Sequence, residues 1–164
     1  MSNIVSATFK TGQATNDALL KLESAGFTEK QISLVTTDNS AGKTFNIEQT
    51  NKAPEGGFIG ATSGGIIGAI AGGLAATGAI AIPGVNVLVY GTLIASAAGA
   101  AAGGATGGLV GSLIGLGIPE YEAKRYEDEI KNGSTLITVE ADSSDRADRA
   151  KEIFGKVDAH NIKA

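Results

Sequence analysis

"AIPGVN", residues 81–86, is the one strong break in a stretch of 64 residues, 56–119, that carries no charged side chain. Pro83 cannot donate a backbone hydrogen bond, and Gly84 tolerates the conformations that a tight turn needs. Read as a turn, Pro83 and Gly84 predict two helices, one over 57–81 and one over 86–117.

Both predicted helices carry a row of glycines. "GGFIGATSGGIIGAIAGG", residues 56–73, places Gly56, Gly60, Gly64, Gly68 and Gly72 four apart. The second helix repeats the spacing with Gly91, Ala95, Gly99, Gly103, Gly107, Gly111 and Gly115. Four residues advance a helix by about 400°, so such a row drifts by only about 40° per step and leaves a shallow groove without side chains. Each glycine costs about 1 kcal/mol against alanine in an exposed helix. Close backbone approach to another helix offsets that cost. A flexible linker is excluded because Phe58, Ile59, Ile66, Ile67, Ile70 and Leu74 are interleaved with the glycines, whereas linkers lack bulky aliphatics. The expectation is a glycine-zipper helical hairpin with its two rows facing, and a homo-oligomer built through it.

Length leaves its solvent open. About 20 residues cross a bilayer; the first helix satisfies that, and the second is too long for an untilted crossing. Residues 95–108 hold no side chain larger than threonine, which weakens insertion into lipid. Three readings stand: a hairpin in or on the inner membrane with lipid as partner, a soluble particle or filament with the glycine helices as its dry layer, and a pore lined by Thr62, Ser63, Thr77, Ser96 and Thr106. For the first, Lys124, Arg125 and Lys131 favour a cytoplasmic exit.

The flanks read differently. Val5, Ala7 and Phe9 alternate with Ser6 and Thr8 as in a half-buried strand. A helix follows, with Thr15 as N-cap, Ala18, Leu19 and Leu22 as its apolar stripe, and Gly26 with Phe27 as a Schellman stop. "QISLVTT" supplies a second strand. After the charge-free region, "PEYEAKRYEDEIKNG" is a charged helix opened by proline and closed by glycine, and "STLITVEAD" is a third strand. Ser143 or Ser144 caps a last helix, and "HNIKA" ends the chain as a short strand. The order, strand-helix-strand twice, predicts an α+β fold: a ferredoxin-like split βαβ domain with the hairpin inserted between its second and third strands. The predicted divisions are 1–53, 54–118 and 119–164.

Charge and composition exclude several functions. A net charge of −4 without a basic cluster gives no nucleic-acid surface. Without cysteine there are no disulfides or thiolate metal sites. "MSNIVSATFK" lacks a secretory leader, so the flanking domain is expected in the cytoplasm, either at the cytoplasmic membrane or within a cytoplasmic assembly.

Two longer stretches carry a resemblance. "ATFKTGQATNDALLKLESAGFTEKQISLVTTD" (7–38), with its "AL..L...GF" helix and "IS.V..D" strand, resembles the amino-terminal module of bacterial general stress proteins of the heat-induced YflT type. "GLGIPEYEAKRYEDEIKNGSTLITVEAD" (115–142) resembles the segment after the glycine-rich insert in related low-temperature-induced proteins. The resemblance implies a bacterial stress-associated protein without enzymatic activity, and it brings no catalytic residue.

Chemical look-alikes are weak. Gly42, Lys43 and Thr44 follow a strand, but a P-loop needs glycine where this chain has Thr37, and a helix directly afterwards. His160 has no paired acid. Glu127, Asp128 and Glu129 point in different directions on a helix, and Glu120 and Glu122 suit a helix N-terminus. No catalytic residue, cofactor, metal or small-molecule substrate is expected. Ala123, Tyr126 and Ile130 give the charged helix one apolar face, suited to covering the sheet or the hairpin.

Overall fold

The alternation at the start of the chain turns Val5, Ala7 and Phe9 into one buried face and Ser6 and Thr8 into the other. A computed structural model of the chain describes residues 3–37, 40, 66, 70, 80–82, 85–91 and 109–164. Its elements are β1 (Asn3–Phe9), α1 (Gly12–Ser24), a 3-10 turn (Glu29–Gln31), β2 (Ile32–Thr37), β3 (Ile80–Ile82), β4 (Val85–Tyr90), α2 (Leu109–Gly115), α3 (Glu120–Lys131), β5 (Thr135–Ala141), α4 (Ser144–Gly155) and β6 (His160–Lys163). The fold is α+β. Among the described residues six strands form one sheet in the order β3-β4-β2-β5-β1-β6, and neighbours pair antiparallel. β5 lies between β1 and β2, with Val139 opposite both Val5 and Ile32.

Local chemistry sets the ends of the helices. Thr11, not Thr15, caps α1: its Oγ1 accepts the Ala14 N–H at 3.2 Å, while Thr15 sits in the first turn and donates its own Oγ1 to Thr11 O at 3.0 Å. The stop is the expected Schellman motif. Gly26 has φ +83°, and the Phe27 N–H reaches Leu22 O at 3.0 Å. Ser143 is the cap of α4, accepting the Arg146 N–H at 3.3 Å. α3 ends at Gly133, φ +97°, with the Ser134 N–H on Glu129 O at 2.9 Å.

Helices cover both faces of the sheet. α1 and α4 bury Ala18, Leu19, Leu22, Ala150, Ile153 and Phe154 on the face made by Val5, Ala7, Phe9, Ile32, Leu34, Ile137 and Val139. Phe9 and Phe154 meet edge to face at 5.4 Å. The other face, with Val35, Val89 and Leu136, is covered by Leu109 and Leu113 of α2 and by Ala123, Tyr126 and Ile130 of α3. The charged helix thus spends its apolar stripe on the sheet.

The expected helices over 57–81 and 86–117 are corrected where they meet the sheet: 80–82 and 85–90 are strands. Val85, Val87 and Val89 recur every second residue, the period of a pleated strand, and they are β-branched. The edge of β2 supplies their backbone partners, from Leu34 opposite Tyr90 to Thr37 opposite Val87. β3 then adds to β4, with Ile82 opposite Val85. Pro83 and Gly84 lie outside the described residues, between those two strands. Gly56, Gly60, Gly64, Gly68, Gly72, Gly99, Gly103 and Gly107 also lie outside them. Gly111 and Gly115 are helical, in α2, the first buried and the second exposed. Gly91 does not belong to a helical row: it follows β4 with φ +103°. Among the described residues no helix is long and apolar enough to cross a membrane.

Candidate functional site

Among the described residues, the glycine-rich segment is tied to the sheet at three places. Ile66 and Ile70, helical and four apart, are 4% and 0% exposed within the core cluster of α1 and α4. β4 and β3 extend the sheet beyond β2. α2, near the end of the segment, is buried on the opposite face through Leu109 and Leu113. Gly91 lies close against β2. A Cβ there would lie 2.4 Å from Ser33 Oγ, 2.6 Å from Ile32 O and 2.8 Å from Ser33 Cα. The glycine that the sequence assigns to helix packing packs instead against the backbone of β2.

α3 carries a second constellation, absent from the expectations. Glu122, Tyr126 and Glu129 recur at i, i+4 and i+7, one helical stripe. Each reaches β6 or β1. Lys163 Nζ pairs with Glu122 at 2.8 Å, and the Tyr126 hydroxyl donates to Asn161 O at 2.8 Å. Glu129 accepts from Thr8 Oγ1 and from Asn161 Nδ2. Asn161 itself stands at φ +50°. Burial, then the nearby Glu122 and Glu129, pushes the Tyr126 hydroxyl well above the ordinary phenol range, so it remains a donor.

The Lys163 hydrogen bond, then that of Tyr121, holds the Glu122 carboxyl below the ordinary carboxylate range; Arg125 adds a weaker pull. Because folding lowers this pKa, the unfolded chain takes up the proton first. The stabilisation is complete above the ordinary carboxylate range and is lost as pH falls through the folded value. As pH falls through the folded value of Glu122, the amide resonances of Asn161, Ile162 and Lys163 are expected to shift as the Lys163 contact is lost. In Glu122→Gln that shift should vanish; its persistence would remove Glu122 from the contact.

Several other charges form solvated pairs. Glu120 pairs with Lys124 at 2.6 Å, Glu127 with Lys131 at 2.6 Å and Glu152 with both Arg149 and Lys156. Glu127 and Glu129 diverge, one to Lys131 and the other to the sheet. No three of His, Asp and Glu converge on a metal geometry among the described residues. Between α1 and α4 lies a groove of about 190 Å³ lined by Lys21, Ser24, Arg149, Glu152, Ile153 and Lys156. It is smaller than ligand pockets, which run to about 300 Å³ and more. Gly42, Lys43 and Thr44 lie outside the described residues. His160 sits in β6, where its carbonyl accepts from Thr8 Oγ1 at 3.2 Å.

Comparison of the chain with protein-family models, curated proteins and solved structures finds no match.

Proposed function

We propose that this chain is a non-enzymatic, general-stress-associated protein whose glycine-rich segment is a packing element: it closes on its own sheet and joins copies into a homo-oligomer. One observation carries this reading. Ile66 and Ile70, from the first part of that segment, lie in the apolar core of the sheet, so these bulky residues meet protein there. The strand order β6-β1-β5-β2 and the two β-α-β units support a ferredoxin-like body, extended at one edge by β4 and β3. The buried polar groups of α3 are engaged with β1 and β6, which favours a structural over a catalytic role. The stress association rests on the resemblance of 7–38 and 115–142.

A membrane-bound form is the second reading, and the 64 uncharged residues favour it. Lysis without detergent, ultracentrifugation and a carbonate wash separate the two. A large particle that sediments identically with and without detergent supports protein packing. Material that resists carbonate and yields only to detergent supports lipid. Gly64→Leu with Gly68→Leu should dissociate the oligomer and leave the sheet folded; an unchanged sedimentation coefficient would remove the glycine row from assembly.

A further inference from the structure

We propose that α2 and α3 form a detachable cover, which leaves the second face of the sheet as one unit while β1, β2, β5, α1 and α4 stay folded. The two faces differ in chemistry. Beneath α1 and α4 the sheet presents Val5, Ala7, Phe9, Ile32, Leu34, Ile137 and Val139, which cannot be wetted without losing the core. The face beneath α2 and α3 carries a row of hydroxyls across three strands: Ser6 opposite Thr138, and Thr138 opposite Ser33. Ser6 and Thr138 share a bond of 3.3 Å, and Ser33 Oγ, fully buried, has no hydrogen-bond partner among the described residues. Burying such a group costs free energy that water returns on opening.

The attachments of the cover are mixed. Val35, Val89 and Leu136 are its apolar footing on the sheet. Its other holds are Glu122 on Lys163, Glu129 on Thr8 and Asn161, and Tyr126 on Asn161 O, all groups that water can satisfy. The cover also has an interior of its own: Leu109 and Leu113 of α2 pack with Ile118, Ala123 and Tyr126. At its far end Gly133, φ +97°, supplies the bend into β5, and Ser40 Oγ clasps Gly133 O at 2.8 Å. Units with little apolar footing and their own internal contacts open below the global unfolding free energy. Opening frees the end of the glycine-rich segment, which deepens the assembly reading above; the cover opens whether or not copies assemble.

Native-state hydrogen exchange on the full-length protein, read by mass spectrometry with sedimentation in parallel, tests this. Amides of α3 should exchange ahead of those of β1, β5 and α4. Glu129→Ala should speed α3 by about tenfold to a hundredfold, the scale of a lost charge-assisted hydrogen bond, and leave α4 unchanged. Should Glu129→Ala fail to fold, Lys163→Ala cuts only the half-exposed hold and should act in the same direction. Glu152→Gln, on the outer surface of α4, should leave α3 exchange unaltered. Exchange of α3, β1 and α4 at one common rate in the unsubstituted protein would overturn the proposal. So would equal acceleration of α3 and α4 by either variant.

Discussion

Gly91→Ala is expected to lower stability by about 2–6 kcal/mol, the sum of about 1–3 for a non-glycine residue held at an unfavourable φ and about 1–3 for overpacking. The residue stands at φ +103°, and the added methyl would meet Ser33 Oγ at 2.4 Å, Ile32 O at 2.6 Å and Ser33 Cα at 2.8 Å. The serine hydroxyl can rotate away. The other two atoms are backbone of β2, so relief requires β4 to move off the sheet. Urea denaturation of the full-length protein measures the effect. Gly155→Ala is the control, because nothing among the described residues lies within 4 Å of its Cβ and the residue is helical. That substitution should leave stability unchanged or raise it by up to about 1 kcal/mol. A loss below about 1 kcal/mol for Gly91→Ala would mean that β4 is not held against β2 as described.

Ile70→Ala is expected to cost about 2–5 kcal/mol, the range for removing most of a fully buried aliphatic side chain. Ile70 is 0% exposed and shares its cluster with Leu19, Leu22, Leu34 and Phe154. The informative readout is the unfolding of the sheet, followed by the amide signals of β1 and β5. If the glycine-rich segment stood apart, those signals would not notice the change. Ile114→Ala, at a residue 38% exposed on α2, should stay within about 0.5 kcal/mol. Equal effects from the two substitutions would take Ile70 out of the core.

What was legible in the sequence follows from whether one period or two act on a segment. β1, β2, β5 and α4 each obey one period, and each lies where the pattern places it. Residues 80–91 serve two. Val85, Val87 and Val89 repeat every second residue, while Gly91 also begins a row that repeats every fourth. Extending the longer row backwards turns a strand pair into helix ends; pairing with the edge of β2 decides for the shorter period. The grip of α3 on β6 was not legible for another reason. Glu129 finds Thr8 at a separation of 121 residues and Asn161 at 32, and no local pattern encodes either partner. The stripe Glu122, Tyr126, Glu129 was visible as spacing, but its carboxylates look like any solvated helix face until β6 is placed beneath it.

The central position of β5 sets the order in which the molecule can be completed. β1 and β2 are never neighbours in the sheet; both wait for β5 to come between them. About 100 residues separate Thr37 from Thr135, and at about 5–20 residues per second a ribosome needs about 5–20 s to supply them. During that interval β1, α1 and β2 hold an apolar face with no closing strand, and the uncharged glycine-rich segment emerges beside it. The chain therefore passes through a window in which its uncharged stretch has been made and its sheet cannot yet close. Ile66 and Ile70, made early in that window, are placed to shield the waiting face before the last strands arrive.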